Sequence, residues 1–214
     1  MPDVTTPSRT VHLTPERLAG WIHRFDARHG RINGTADGAT VILTAADGAV
    51  ATVTVPFAPL PAGDPVTAVV DHALKARSVG AILVRRGGFA VGIFDGRRLV
   101  TSKVGSSYVQ GKTKAGGWSQ QRYARRRANQ AAQAYAEAAD IVATIILPRT
   151  EDLDAVVGGG DRAGVEAVLS DPRLEQVHDR WTGEVLPTPD PRLRVLQGFP
   201  DQFRAVTIAL NDLA

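Results

Sequence analysis

Residues Phe89–Gln130 read FAVGIFDGRRLVTSKVGSSYVQGKTKAGGWSQQRYARRRANQ, a stretch that changes character twice. Its first part predicts two strands joined by a tight turn at Asp95-Gly96. The segment Gly105–Ser119 predicts a loop longer than ordinary hairpin connections, and such loops are usually functional or disordered. From Ser119, a good N-cap residue, the sequence predicts a helix to about Ala139. A strand pair, a long loop and a helix therefore form the centre of the predicted fold.

The flanking sequence predicts further alternating strands and helices. Residues 140–147, DIVATIIL, form a continuous β-branched run that is typical of a central strand buried on both faces. Gly158-Gly159-Gly160 predicts a turn that enters a helix. Together these elements indicate an α/β fold with a mixed sheet flanked by helices. The other predicted elements are helices at 15–29, 66–74, 161–169 and 201–213, and strands at 39–44, 50–57 and 80–85.

The chain length and apolar content predict one domain. Of the 214 residues 43% are hydrophobic, enough for a sizeable core. Residues 1–13 predict a flexible tail, and residues 14–214 predict a single catalytic domain with its core at 39–147 and a C-terminal extension at 148–214. Neither a signal peptide nor an apolar run long enough to span a membrane is evident, so we expect a cytoplasmic monomer without membrane contact.

Positive charge is concentrated in one part of the sequence. The segment from Gly96 to Ala136 contains nine basic residues and no acidic one. The remainder of the chain has 16 basic residues against 22 acidic ones, a net charge of −6. Clustered Lys and Arg neutralise phosphates with release of counterions, so this distribution favours contact with RNA or a ribosome over general surface basicity. The alternative interpretation is a solvated helix face.

Several common kinds of active site find no support in the sequence. The chain has no cysteine, and its five histidines lack the spacing of a zinc site. Gly111-Lys112-Thr113 resembles the end of a P-loop, but the leading glycine is displaced and Gly116-Gly117 interrupts the position where the helix should begin. A Gly-x-Ser-x-Gly nucleophile elbow is also absent. We therefore expect no metal ion and no cofactor.

The sequence Gly116-Gly117-Trp118-Ser119-Gln120-Gln121 carries the strongest candidate for chemistry. Paired glycines allow the backbone to approach a ligand closely, and the start of the next helix offers unpaired N–H groups. A glutamine amide is neither acid nor base at neutral pH. Its one acceptor and two donors are suited to orienting a water molecule or an oxyanion. The alternative is a glycine hinge that precedes a capped helix.

With its flanks, Phe89–Gln130 resembles the middle, catalytic domain of eukaryotic and archaeal class-1 peptide release factors, in which a basic loop with Gly-Gly-Gln precedes an Arg-rich helix. It resembles even more the release-factor-like peptidyl-tRNA hydrolases of ribosome quality control, particularly their actinobacterial branch. The similarity is most specific over residues 89–133 and extends to about 39–147. The resemblance implies hydrolysis of the ester between nascent peptide and tRNA on stalled ribosomes or large subunits.

The resemblance also implies roles for individual residues. Gln120, with the backbone at Gly116 and Gly117, would position the attacking water or a tRNA hydroxyl in the peptidyl-transferase centre. A strict release factor has its glutamine directly after the second glycine, and the two extra residues here move it by up to about 7 Å. Gln121 is therefore an alternative working amide. Contacts to rRNA or to the tRNA acceptor end are implied for Lys112, Lys114, Arg122, Arg125, Arg126 and Arg127.

The implied partners are thus the large ribosomal subunit, through its rRNA, and peptidyl-tRNA. Two alternative functions remain open at the level of sequence. One is a non-catalytic module that binds rRNA or tRNA, for which the basic segment alone would suffice. The other is an endonuclease that cleaves the acceptor end of the tRNA. Nothing in the sequence resembles a domain that reads stop codons.

Overall fold

The computed structural model describes residues 8–85, 88–106 and 118–214, with the side chains of 118–131 excepted. The chain divides into two compact units, one formed by Met1–Lys75 with Pro200–Ala214 and the other by Ala76–Phe199. The single domain over residues 14–214 stays a prediction.

Strands and helices alternate along the described chain, with a 3₁₀-helix at Leu147–Asp152 and another at Pro172–Leu174. The strands are β1 Arg9–Leu13, β2 Ile32–Asp37, β3 Thr40–Ala45, β4 Val50–Thr54, β5 Ser78–Arg85, β6 Gly88–Asp95, β7 Arg98–Ser106, β8 Ala155–Gly160, β9 Trp181–Leu186 and β10 Val206–Leu210. The α-helices are α1 Pro15–His29, α2 Pro65–Leu74, α3 Trp118–Ile145, α4 Arg162–Leu169, α5 Glu175–Asp179, α6 Leu193–Gly198 and α7 Pro200–Phe203.

The first unit is built on an antiparallel five-stranded sheet in the order β1-β10-β4-β3-β2. Apolar residues at helical spacing on α1, namely Leu18, Ile22 and Phe25, are buried in the same core as the inward side chains of the sheet. The predicted hairpin turn at Asp47-Gly48 is confirmed, and Gly48 supplies its positive φ of 89°.

Two segments of this unit differ from the sequence prediction. Residues 9–13, assigned to the flexible tail, form strand β1 and pair with β10. The predicted helix at 201–213 is wrong, because only α7 is helical and β10 follows it. Burial alternates along β10, with Val206, Ile208 and Leu210 inside, and this period of two is typical of a strand. β10 pairs on both sides, with β1 and with β4.

The second unit is built on a mixed five-stranded sheet in the order β7-β6-β5-β8-β9. The pairs β5–β8 and β8–β9 are parallel, and the other two are antiparallel. One face of the sheet shares its core with α3 and α4. On the other face, a Cβ at Gly92 would lie 3.1 Å from Leu196 of α6. The predicted α/β class, with a mixed sheet flanked by helices, is therefore confirmed.

The strand predicted at 140–147 is wrong, because these residues continue α3 to Ile145. Ala138, Val142 and Ile146 are buried at intervals of four, which is the helical repeat. Asp140 and Thr144 are exposed on the other side, and the Thr144 hydroxyl donates to the Asp140 carbonyl at 2.8 Å. The apolar run thus covers a wide buried face of a helix.

The glycine triplet 158–160 is also not the predicted turn. It is the end of β8, which pairs in parallel with β5 and is largely buried. A Cβ at Gly158 would lie 2.9 Å from Val165, so the absent side chain allows α4 to pack closely on the strand. The predicted helix after it is confirmed as α4.

Candidate functional site

The predicted site residues lie on both sides of the start of α3. This helix begins at Trp118, one residue before the predicted cap at Ser119. The helix includes six of the ten predicted site residues, for which the backbone is described: Gln120, Gln121, Arg122, Arg125, Arg126 and Arg127. The other four, Lys112, Lys114, Gly116 and Gly117, lie outside the described residues. The sequence also predicts disorder of residues 106–117 in the free protein, because its glycines and like charges have little to pack against. These residues too lie outside the described part of the chain, apart from Ser106, which ends β7.

Strand β7, which leads into the predicted loop Gly105–Ser119, packs closely on β6. Gly105 faces Phe89 across the pair, and Ser106 faces Gly88. A Cβ on Gly105 would overlap the Phe89 ring, and a Cβ on Gly88 would overlap the Gly105 carbonyl oxygen. These glycines therefore let the two strands and the ring occupy a space that larger residues would not fit.

We expect Gly105→Ala to destabilise the second unit by about 2 kcal/mol, because the new methyl group must displace the Phe89 ring. Urea unfolding measures this change. Gly198→Ala is the matched control, since a Cβ at Gly198 has no atom within 4 Å among the described residues and should leave stability nearly unchanged. Equal stability of the two variants would contradict the packing argument.

The rear half of α3 anchors the helix in the core of the second unit. Ala134, Ala138, Ala139 and Val142 are buried, whereas Gln133 and Glu137 are exposed. The distance along the axis from Trp118 to Ala134 is about 24 Å. The backbone of the candidate glutamines is thus joined by a continuous helix to a fixed support.

The charged residues of α3 are not placed where they would stabilise its helix dipole. The helix has no acidic residue in its first turn and no basic residue in its last turn, although these charges would stabilise it. Its arginines lie in the first half of the sequence, and its acidic residues Glu137 and Asp140 lie in the second half. Stabilisation of the isolated helix therefore does not explain where its arginines are placed.

Acidic residues near the rear of α3 have partners within the second unit. Arg173 donates to Asp140 at 2.8 Å and to Asp171 at 2.7 Å. The hydrogen bond from the Arg173 guanidinium lowers the pKa of Asp171 to about 2, and the same contacts raise the pKa of Arg173. The charges of Arg173, Asp140 and Asp171 are therefore paired with one another, far along α3 from Gln120 and Gln121.

Two basic residues elsewhere in this unit, Arg85 and Arg162, have structural partners. Arg85 donates to the Thr188 carbonyl at 2.9 Å, and Arg162 pairs with Glu166 at 3.3 Å. By contrast, Lys103 on β7 is exposed and has no carboxylate within ion-pair distance in the described part of the chain. Lys103 is therefore a further cation close to the start of the predicted loop Gly105–Ser119. It belongs to the basic segment 96–136 but is not one of the ten predicted site residues.

Within the described ranges, no group of three or more His, Asp or Glu side chains is arranged to hold a metal ion. The described helices also include none with the length and apolar character needed to cross a membrane.

The Actinobacteria/chloroflexi VLRF1 release factor family matches this chain over residues 77–209, more than half of its length. The chain belongs to this family. The VLRF1 match begins at the start of the second unit and includes all ten predicted site residues. The predicted resemblance to release factors is thereby confirmed.

Two solved structures are similar to this VLRF1 family chain. One is the crystal structure of the archaeal translation termination factor aRF1, with 13% identity, a TM-score of 0.40, and coverage of 75% of this chain and 51% of that chain. The other is described as an archaeal protein, with 16% identity, a TM-score of 0.36, and coverage of 72% and 47%. The chain thus spans about half the length of each.

Proposed function

We propose that this protein is a peptidyl-tRNA hydrolase that releases nascent peptides from stalled ribosomes or large subunits. The observation that carries the proposal is the position of Gln120 and Gln121. They lie in the first turn of a long helix, separated from a Gly-Gly pair only by Trp118 and Ser119, within the residues that match a release-factor family. The surrounding segment is basic and has no carboxylate.

The chemistry of this segment fits a reaction centre made of RNA. A carboxylate would be repelled by the phosphates around a peptidyl-transferase centre, whereas a neutral amide can enter and still donate and accept hydrogen bonds. The cations Lys112, Lys114, Arg122 and Arg125–Arg127 would contact phosphates of rRNA or of the tRNA end. These contacts fix the position of the loop but carry no sequence information.

In the proposed reaction, the oxygen of a water molecule attacks the carbonyl carbon of the peptidyl ester. The bond between that carbon and the ribose oxygen breaks, and a proton of the water passes to the ribose oxygen. The products are a free peptide acid and an intact tRNA. Gln120, with the Gly117 backbone, would orient the water or a tRNA hydroxyl and so contribute through positioning.

The two extra residues between Gly117 and Gln120 leave a second candidate for the working amide. Gln121 follows at once in the same turn, and successive residues of a helix project about 100° apart. Only one of the two glutamines should therefore face a given reaction centre. Comparison of single alanine variants distinguishes them.

The products of the reaction test the proposal against both alternatives. We expect the purified protein, added to a stalled large subunit that carries a nascent chain, to yield free peptide and a full-length tRNA by mass analysis. A tRNA shortened at its acceptor end, with nucleotides still attached to the peptide, would establish the endonuclease instead. Binding without either product would establish the RNA-binding module.

A further inference from the structure

A groove in the first unit has the composition of a second binding surface. It lies between α1 and β1 and has a volume of about 340 Å³. Three arginines and two aromatic residues contribute to its lining: Arg9, Arg24, Arg28, Trp21 and Phe25. All of them lie outside residues 77–209, so the family match says nothing about this groove.

Helix α1 separates its charges between its two flanks. Arg24 and Arg28 are four residues apart and lie on one flank, close in angle to Trp21. Asp26 belongs to the opposite flank, where it lines a different groove and accepts from the backbone N–H of Ile32 at 3.2 Å. The total charge of the helix hides this separation, because acidic and basic residues are mixed along its sequence.

Two other carboxylates of the first unit also have partners of their own. Glu16 accepts from Arg204 at 3.0 Å, and Asp47 accepts from His29 at 2.8 Å. Hydrogen bonds from the Ala49 backbone and from His29 lower the pKa of Asp47. Within the described ranges, no carboxylate lies within ion-pair distance of Arg9, Arg24 or Arg28, which are all exposed.

Aromatic rings give the groove a fixed apolar wall. Trp21 stacks on Phe25 with ring centroids 5.2 Å apart and planes inclined by 14°. Phe25 in turn contacts the His29 ring at 4.9 Å, and the bond to Asp47 holds that ring in place. Phe25 and His29 are buried, whereas Trp21 is half-buried, so part of the indole is accessible where it lines the groove.

We propose that this groove binds single-stranded RNA, with Arg9, Arg24 and Arg28 on phosphates and Trp21 against a base. Guanidinium groups bind phosphate oxygens with two donors at once, and aromatic side chains stack on unpaired bases whatever their sequence. The volume of the groove is near the lower end of the range for small-ligand sites, so the groove suits one unpaired nucleotide better than a duplex. A membrane surface fits less well, since no apolar residue of the lining is fully exposed: Phe25 and Leu210 are buried, and Val11, Trp21 and Ala214 are half-buried.

Binding of a labelled twelve-nucleotide oligouridine to the full chain, followed by fluorescence anisotropy, tests this proposal. We expect the double variant Arg24→Gln/Arg28→Gln to raise the Kd about tenfold. The slope of log K against log salt should also become shallower by about 1.4, because each lost phosphate contact removes about 0.7. The matched control is Arg31→Gln/Lys75→Gln, which removes the same charge from exposed positions of the same unit that do not line the groove.

A second variant separates the aromatic contribution from charge. Trp21→Leu should weaken binding several-fold and leave the salt slope unchanged, since stacking involves no counterion release. Thermal unfolding verifies that each variant is folded. Unchanged affinity and slope in Arg24→Gln/Arg28→Gln would overturn the proposal, as would an equal loss in the Arg31→Gln/Lys75→Gln control. Loss of binding to phosphatidylserine vesicles with unchanged RNA binding would also overturn it, in favour of a lipid surface.

This test uses free RNA and no ribosome, so it does not depend on peptide release. A protein that releases peptides normally but shows no groove-dependent RNA binding would refute only the second surface. Groove-dependent binding without peptide release would refute only the proposed hydrolase.

Discussion

Replacing Gln120 with alanine is expected to lower the rate of peptide release from a stalled large subunit by about 100-fold or more. Loss of a single oriented hydrogen-bonding group at a developing oxyanion typically has an effect of this size. Alanine is a good helix former, so the backbone of α3 should keep its conformation. The measurement is a single-turnover time course of peptide release with the protein in excess over the large subunit.

Binding should be almost unchanged in this variant, because the phosphate contacts are assigned to the lysines and arginines and not to the amide. Co-sedimentation with the large subunit measures binding independently of the reaction. Gln120→Glu is a further comparison, since it keeps the size of the side chain but adds a negative charge. We expect it to lose activity and also to bind more weakly in a polyanionic site.

Gln121→Ala is the matched control for Gln120→Ala, one position along the same helical turn. If Gln120 is the working amide, the Gln121 variant should retain most of its release rate. The opposite result would assign the reaction to Gln121 and keep the proposed hydrolase. Full activity of both single variants and of the double variant would refute catalysis by either amide.

Gly160→Ala is expected to destabilise the second unit by about 3 kcal/mol, the largest stability effect that we predict. Gly160 has a φ of 93°, which an alanine adopts only with strain. Its Cβ would also overlap the Val84 carbonyl oxygen, which accepts a hydrogen bond from Asp161 at 2.8 Å. Strain and overlap act together at the position where β8 ends beside β5.

Gly183→Ala separates these two causes. Gly183 also has a positive φ, 77°, but a Cβ there would have no atom within 4 Å among the described residues. We expect it to cost about 1 kcal/mol, from backbone strain alone. Urea unfolding of both variants under the same conditions gives the difference. If Gly160→Ala were no more destabilising than Gly183→Ala, the overlap with Val84 would be disproved.

Local patterns in the sequence were sufficient for several elements. Helix α1 follows from Pro15 after Thr14 and from apolar residues at helical spacing. The β3–β4 hairpin follows from two alternating runs around Asp47-Gly48. Strands β5, β6 and β7 follow from short apolar runs, with the turn at Asp95-Gly96 between the last two. Each of these signals lies within a few residues of the element that it specifies.

Two of the incorrect predictions, the strand at 140–147 and the helix at 201–213, share one cause. A short apolar run is compatible both with a buried strand and with a helix that is buried over a wide face. Residues 140–147 belong to the second case, and the polar pair Asp140 and Thr144, four residues apart, was the available indication. Residues 206–210 belong to the first case, and the alternation of Val206, Ile208 and Leu210 with smaller residues was the available indication.

The sequence by itself determined the α/β class, the family and the basic segment without carboxylates that contains Gln120 and Gln121, because all of these are local in the chain. Only the tertiary structure decided that β10 lies between β1 and β4 and that the glycines of β8 lie beside β5. It also decided that the charges of α1 lie on separate flanks. The physical reason is that strand pairing and the partners of a charge depend on residues far away in the sequence, which no local pattern specifies.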